Sequence, residues 1–156
     1  MLEFEIPGFG LVRLEHAVFD FTGTLSLDGR LLLGVREQLN KIAGFLKVHV
    51  LTSDTFGMAE AELIGINCGI HILKGDNHDI QKAEYVKALN AESVVAIGNG
   101  NNDRGMLKIA RIGIAVCLSE GCSTDALTSA DIFVTSIIDA LELLLNPKRL
   151  KATLRF

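Results

Sequence analysis

Short apolar runs alternate with segments of helical spacing along this chain, and this alternation restricts its fold more than any other feature. The apolar runs that we assign to core strands are 17–19, 48–51, 70–73, 94–97, 112–116 and 132–134. Apolar residues recur at helical spacing in the segments 35–45, 56–64, 78–89, 102–110, 123–128 and 136–145. Strands that alternate with helices favour a mostly parallel sheet with right-handed crossovers. Continuous apolar runs are typical of strands that are covered on both faces. We therefore predict a Rossmann-like α/β fold with three layers, in which helices cover both faces of one sheet (αβα).

Two smaller features complete the predicted architecture. The turn residues 7–10 lie between the apolar runs 2–6 and 11–14 and predict an N-terminal strand pair. Asp28-Gly29 lies between two further short apolar runs and predicts a β-hairpin flap. The 156 residues contain no linker or low-complexity tract, so we expect a single domain over 1–156.

Composition excludes several classes of protein. The net charge is −4 and no basic stripe is present, which argues against nucleic-acid binding. No run approaches the ~20 apolar residues of a membrane-spanning helix, and the acidic start is unlike a secretory signal. The three cysteines form no C-x-x-C pair, so a disulfide framework or zinc site is not expected. We therefore expect a protein of a reducing compartment, the cytoplasm.

Polar residues follow several of the predicted strands. Asp20 ends the first core strand, Thr52-Ser53-Asp54 follow the second, and the loop 98–103 follows the fourth. In open α/β sheets, ligands bind beyond the carboxyl ends of the strands. Asp20 is followed by a Thr-Gly-Thr turn, an arrangement that suits a carboxylate attacking a phosphoryl group. Lys82, on the helix before the fourth strand, adds an ammonium group.

These residues resemble the four motifs of the haloacid dehalogenase (HAD) superfamily, in order and spacing, over residues 16–146. Within that superfamily, Asp-Phe-Thr-Gly-Thr and Leu-Thr-Ser-Asp are similar to the D-K-T-G-T and L-T-G-D motifs of P-type ATPase phosphorylation domains. Small proteins that resemble isolated phosphorylation domains are the closest likeness. Only 27 residues separate Thr24 from Thr52, so there is no room for the nucleotide-binding domain of a pump.

The resemblance implies a role for each motif residue. Asp20 would be the nucleophile, and Lys82 would pair with the phosphoryl group and with Asp20. The remaining residues that the resemblance assigns to phosphate binding are Thr52, Ser53, Gly23 and Asn102. It assigns Mg²⁺ as the cofactor, with ligands from Asp20, the Thr22 carbonyl, Asn99 and Asp103. Asp54 has an alternative interpretation as a helix N-cap.

Two positions depart from the phosphatase pattern. Thr22 stands where phosphatases have the Asp that protonates the leaving group and activates water, a role that contributes roughly 10²–10⁴-fold. Asn99 replaces a metal-binding carboxylate, so weaker metal binding is expected. We therefore predict a Mg²⁺-dependent phosphohydrolase or phosphotransferase that hydrolyses its aspartyl phosphate slowly. The alternative is a low-turnover phosphate- or nucleotide-binding or regulatory module.

The intervals between the motifs are too short for a cap domain, so we expect an open site. Such a site fits a phosphoprotein, a phosphorylated small molecule, or shielding by a neighbouring subunit in a homo-oligomer. The remaining candidates have structural interpretations. Cys117 and Cys122 are expected to be buried, inert thiols. The four histidines show no metal-ligand spacing and are expected at strand ends or on the surface: His16, His49, His71 and His78.

Overall fold

The computed structural model describes residues 1–54 and 57–156, and a six-stranded parallel sheet forms its centre. The strands in chain order are β1 (Leu2–Ile6), β2 (Gly10–Leu14), β3 (His16–Asp20), β4 (Ser26–Leu27), β5 (Arg30–Leu31), β6 (Lys47–Thr52), β7 (Gly69–Ile72), β8 (Val94–Gly98), β9 (Ile112–Val116) and β10 (Ile132–Val134). The central sheet has the order β10-β9-β8-β3-β6-β7, and every neighbouring pair is parallel. The predicted mostly parallel α/β fold is confirmed.

Helices cover both faces of this sheet. They are α1 (Val35–Ile42), α2 (Met58–Glu62), α3 (His78–Ala88), α4 (Arg104–Ile109), α5 (Thr124–Ser129), α6 (Ile137–Leu145) and α7 (Pro147–Leu154). Every residue of β3, β8 and β9 is buried, as expected for strands that are covered on both sides. Val18 packs in the smaller apolar cluster and Phe19 in the larger one, so successive residues of β3 face opposite layers.

Both small β elements are present. β1 and β2 form the antiparallel N-terminal pair, and β4 and β5 form the flap. Asp28 and Gly29 both have positive φ angles, 51° and 80°, which a two-residue hairpin turn of type I′ requires. The Leu31 backbone N–H donates to the Glu62 carboxylate at 2.9 Å, which ties the flap to α2.

The described residues contain no cap domain. Between β3 and β6 the chain forms only the flap and α1, and between β6 and β7 it forms only α2 among residues 53–54 and 57–68. The carboxyl edge of β3 is therefore not covered by an inserted domain in this part of the chain.

Several boundaries differ from the sequence prediction. The flap strands and α1 are shorter than predicted, and residues 101–103 form a 3₁₀ turn before α4. Residue 56, at the predicted start of α2, lies outside the described residues. Asn146-Pro147 ends α6 as predicted, but Pro147 also begins α7, whose Leu150 is buried. Proline is favourable at a first helical position because the N–H that it lacks has no helical partner there.

Candidate active site

A buried ion-pair network lies at the carboxyl edge of the central sheet. Lys82 Nζ donates to Asp20 Oδ1 and to Asp103 Oδ1, each at 2.7 Å. The exposed fractions are 1% for Lys82, 6% for Asp20 and 0% for Asp103. Asp20 ends β3, Lys82 is on the second turn of α3, and Asp103 follows β8. The fold therefore brings together three predicted site residues that are far apart in sequence.

The turn after Asp20 is fixed by its own backbone. The Phe21 carbonyl accepts hydrogen bonds from the backbone N–H groups of Thr24, Leu25 and Ser26, at 3.0 to 3.3 Å. Gly23 has φ +77°, a left-handed conformation that favours glycine. A Cβ on Gly23 would lie 2.5 Å from both Asn99 Nδ2 and Glu120 Oε2, so the turn also has no room for a side chain there.

Thr24 orients the Asp20 carboxylate. Its hydroxyl donates to Asp20 Oδ2 at 2.9 Å and lies 3.4 Å from Asn99 Oδ1. Together, Lys82 and Thr24 hold both carboxylate oxygens of Asp20. Thr24 was not among the predicted site residues, although it is the last residue of the Thr-Gly-Thr turn and could have been found from that motif.

The loop after β8 fixes Asp103. Asp103 Oδ2 accepts the backbone N–H groups of Asn99 and Gly100, each at 2.9 Å, while its Oδ1 accepts from Lys82. A Cβ on Gly98 would lie 2.5 Å from Asp103 Cγ, so glycine is required for this close approach. Through these bonds the Asp103 side chain positions Lys82 and the loop, and its role as a metal ligand stays a prediction.

A small open cavity lies among the residues that directly follow Asp20 and Thr52 in the chain. It has a volume of about 220 Å³ and is lined by Phe21, Thr22, Gly29, Thr52, Ser53, Asp54 and Met58. Thr52 is buried, whereas Thr22 and Ser53 are exposed. The predicted hydroxyl groups therefore lie in one place, next to the flap turn.

Two further candidate residues have other contacts or another position. Asp54 accepts the backbone N–H groups of Ala59 and Glu60 at 2.7 and 3.2 Å, which supports its interpretation as a helix cap. Asn102 is exposed and lines a different polar cavity, together with residues at the start of α3. Ligand binding at Asn102 therefore remains a prediction.

The charges of the network shift the pKa values of its members. Burial and the neighbouring Asp103 charge raise the pKa of Asp20 to about 6, against the lowering effect of Lys82. Burial by itself lowers the pKa of Lys82, but the Asp20 and Asp103 carboxylates outweigh it and hold that pKa above its ordinary value. At neutral pH the network is therefore an ionised Asp20 carboxylate beside a fixed ammonium group.

The donor set is compatible with Mg²⁺. Asp20 Oδ2 and Asn99 Oδ1 lie 2.9 and 3.4 Å from the same Thr24 hydroxyl, so two oxygens of the types that Mg²⁺ prefers lie near each other. Among the residues that the structure describes, no group of three His, Cys, Asp or Glu side chains could hold a metal ion. Mg²⁺ keeps several waters and needs only one or two carboxylates, so this finding does not conflict with a magnesium site.

A larger cavity, about 570 Å³, lies between the flap and the chain after β9 and β10. It is lined mainly by apolar residues, among them Leu27, Leu32, Leu118 and Ile138, and it contains none of the four motifs. Because residues of the first two motifs line the smaller cavity, we place the candidate active site there, next to the turn that follows Asp20.

The histidines are not independent surface residues. His16 Nδ1 lies 3.0 Å from His49 Nε2, and His49 Nδ1 lies 3.0 Å from the Tyr85 hydroxyl. Burial is the main cause that lowers the pKa of His49 to about 4. The expectation that the histidines lie at strand ends or on the surface holds for His16, which begins β3, but is wrong for His49, which lies inside β6 and is half-buried. Strand register, and not sequence spacing, brings the two rings together.

This fold and site define an α/β protein with a buried, cation-paired aspartate at the edge of its sheet, and three comparisons identify its class. Residues 72–131 match the family model of haloacid dehalogenase-like hydrolases. An uncharacterized protein of Methanocaldococcus jannaschii is 45% identical over 86 residues, which cover 53% of this chain and 92% of that protein. A probable cadmium-transporting ATPase of Staphylococcus aureus is 36% identical over 92 residues, 57% of this chain but only 12% of the ATPase.

A solved structure shows the same fold over most of the chain. It is the 3-deoxy-D-manno-octulosonate 8-phosphate phosphatase of Moraxella catarrhalis, determined with a magnesium ion, a phosphate ion and KDO. The TM-score is 0.70 at 17% identity, and the match covers 91% of this chain and 94% of that one. The chain belongs to the haloacid dehalogenase-like hydrolases, and its similarity to the phosphorylation domain of P-type ATPases is confirmed.

No helix among residues 1–54 and 57–156 has both the length and the apolar character that a membrane span requires.

Proposed function

We propose that this chain is a Mg²⁺-dependent phosphohydrolase or phosphotransferase that forms an aspartyl phosphate on Asp20 and hydrolyses it slowly. The observation that carries the proposal is the buried network in which Lys82 and Thr24 hold the two oxygens of Asp20 beside an open cavity. A carboxylate fixed in this way is prepared to attack without reorganisation.

In the first step, an Asp20 oxygen attacks phosphorus and the bond from phosphorus to the leaving oxygen breaks. Thr52 and Ser53 are placed to donate hydrogen bonds to the phosphoryl oxygens, and Lys82 offsets their charge. Mg²⁺, when bound by Asp20, the Thr22 carbonyl and Asn99, would supply further neutralisation of the phosphoryl charge. Asp103 acts by holding Lys82 in place.

The second step is water attack on the aspartyl phosphate, and here Thr22 stands in place of the base of the phosphatase pattern. The Thr22 hydroxyl lines the cavity but does not titrate near neutral pH. Without general acid–base assistance, hydrolysis is expected to be slower by roughly 10²–10⁴-fold. The phosphoenzyme should therefore accumulate.

The decisive experiment measures phosphoryl transfer to the protein itself. Incubation with Mg²⁺ and acetyl phosphate should give one covalent phosphoryl group per chain, mapped to Asp20 by mass spectrometry and released by hydroxylamine. Asp20→Asn should remove it, while Asp139→Asn, on the distant helix α6, should leave it unchanged. Incorporation that is equal in Asp20→Asn and the wild type would refute the proposal.

A second candidate function is a low-turnover module that binds phosphate or a nucleotide and regulates another protein. Thr22 and Asn99 favour it, because both replace carboxylates of the phosphatase pattern. Rapid multiple turnover on a phosphomonoester such as p-nitrophenyl phosphate would argue against this candidate. Single incorporation without turnover would support it.

The substrate class follows from the uncapped site. We propose a phosphorylated small molecule, as the likeness to a sugar-acid phosphatase suggests, or a phosphoprotein, acted on in the cytoplasm. A homo-oligomer that covers the site stays a prediction, and light scattering of the purified chain tests it.

A further inference from the structure

Two thiols bracket the tight turn that follows β9. Leu118 and Gly121 form an antiparallel bridge, and the Gly121 N–H donates to the Leu118 carbonyl at 2.9 Å. Cys117 and Cys122 are the next residues outward on either side. Both residues are half-buried instead of fully enclosed. The expectation that both thiols are buried was wrong, because they lie at the edge of the loop.

The backbone on both sides of this turn is fixed. The Cys117 N–H donates to the Val134 backbone carbonyl at 3.0 Å, and the Ser123 N–H donates to the Asn99 backbone carbonyl at 2.8 Å. Residues directly outside a hydrogen-bonded antiparallel pair have Cα atoms about 4.5 Å apart. This separation is within the range of about 4.4–6.8 Å that disulfides require. A disulfide is therefore compatible with the position of the two cysteines beside the bridge.

The same loop contacts the candidate active site. The Gly121 carbonyl accepts the Asn99 Nδ2–H at 3.1 Å. The Glu120 carboxylate and the Asn99 amide both pack against Gly23 of the nucleophile turn. The loop thus determines where Asn99 presents its oxygen to Asp20 and Thr24, and a change in the loop is transmitted to those groups.

We propose that Cys117 and Cys122 are a redox modification site, a reversible disulfide that moves the Gly121 carbonyl and so misaligns Asn99. The regulatory part of this inference rests on the proposed function. The oxidant is a low-molecular-weight disulfide such as oxidised glutathione. One protein thiolate attacks it and releases one glutathione, and the second protein thiolate then breaks the mixed disulfide and releases the other.

The two protein thiols are oxidised, one glutathione disulfide is reduced to two thiols, and the protons lost by the protein are taken up by the released thiolates. Burial, together with the neighbouring Cys117, raises the pKa of Cys122 to about 11, so attack by the Cys122 sulfur is slower at neutral pH than in alkali. A reducing cytoplasm would keep the pair as thiols except under oxidative conditions.

The first test is chemical and does not depend on activity. After incubation of the whole chain with oxidised glutathione, peptide mapping should show one Cys117–Cys122 link, with a mass lower by two hydrogen atoms. Cys68 should remain a free thiol, and dithiothreitol should reverse the link. Cys68→Ser should behave as the wild type, and Cys122→Ser should form no link. Stable glutathione adducts on both loop cysteines, or a link to Cys68, would overturn the assignment.

The second test measures the effect on the site. The rate of Asp20 phosphorylation should fall about tenfold in the oxidised chain. Loss of a group that supports a metal ligand typically costs about 10- to 100-fold, and we expect the lower end of this range. Cys122→Ser treated identically should keep its rate. The Asn99 side-chain amide resonances in the ¹⁵N-labelled, metal-free chain should shift on oxidation.

The two readouts separate the hypotheses. A disulfide that changes neither Asn99 resonances nor phosphorylation overturns the regulatory role. Absence of phosphorylation in both redox states, with a shifted Asn99, refutes the proposed function and leaves the redox site standing.

Discussion

Replacing Lys82 by methionine should destabilise the protein strongly, because it leaves Asp20 and Asp103 facing each other without a cation. All three side chains are almost fully buried, and each ion pair is 2.7 Å long. Removing one partner of a buried pair typically costs about 3–5 kcal/mol. The cost of protonation gives a similar value. Without Lys82, one of the two carboxyl groups must stay protonated, and protonating a group of ordinary pKa 3.8 at pH 7 costs about 4 kcal/mol at 1.36 kcal/mol per pH unit.

The pH dependence distinguishes this reasoning from simple loss of packing. In the wild type the pKa of Asp20 is raised to about 6, so below that pH both proteins hold a proton on Asp20 in the folded state. Above pH 6, Asp20 is ionised in the folded wild type, whereas the folded variant still takes up a proton there. The free energy of unfolding of the variant therefore falls relative to that of the wild type as pH rises. The difference should grow by about 1.4 kcal/mol per pH unit between pH 6 and 8.

The measurement is urea unfolding with a metal chelator at pH 6, 7 and 8. The double variant Lys82→Met/Asp20→Asn should recover most of the stability and lose the pH slope. Lys87→Met, on the exposed side of α3, is the matched control and should change stability by less than about 0.5 kcal/mol. A loss below about 1 kcal/mol for Lys82→Met, or a loss that is the same at pH 6 and 8, would refute the argument.

Three further substitutions test the rest of the site and the histidine pair. Thr22→Asp should shorten the phosphoenzyme lifetime by about 10²–10⁴-fold in a chase experiment, and an unchanged lifetime would show that a base is not what limits hydrolysis. Gly23→Ala should lower the free energy of unfolding by more than the ~1–2 kcal/mol of a left-handed backbone alone, because the new Cβ would collide with Asn99 and Glu120. Gly75→Ala is the control for the backbone cost, because Gly75 has φ +63° and open space around it. The pKa of His49 is lowered to about 4 by burial, so wild-type stability should fall by about 2 kcal/mol as pH drops from 6.5 to 4, and His49→Gln should flatten that part of the unfolding profile.

The sheet could be predicted from the sequence because its strands are continuous apolar runs. Each predicted core run lies in an observed strand or differs from it by one residue at an end. The motif order then placed Asp20, Thr52 and the loop 98–103 at one edge, since parallel strands end together.

The contacts between these residues could not be predicted in the same way. Nothing in the sequence says that Asp103 turns back to accept from Asn99 and Gly100, because that depends on the absence of a Cβ at Gly98. The pairing of His16 with His49 depends on the register of β3 against β6, which places Val18 and not His16 opposite His49. The contact between the 117–122 loop and Asn99 likewise depends on how two strand ends are spaced in three dimensions.

The two departures from the phosphatase motifs act in the same electrostatic direction. With Thr22 and Asn99 in place of two carboxylates, the described site holds Asp20, Asp103 and one compensating charge on Lys82. A less negative site repels an incoming phosphoryl dianion less, which favours attack by Asp20, but it also attracts Mg²⁺ less strongly and supplies no base to water. Under the proposed function, formation of the aspartyl phosphate and its hydrolysis are therefore affected in opposite senses by the same substitutions. A site of this composition is better suited to holding a phosphoryl group than to releasing it.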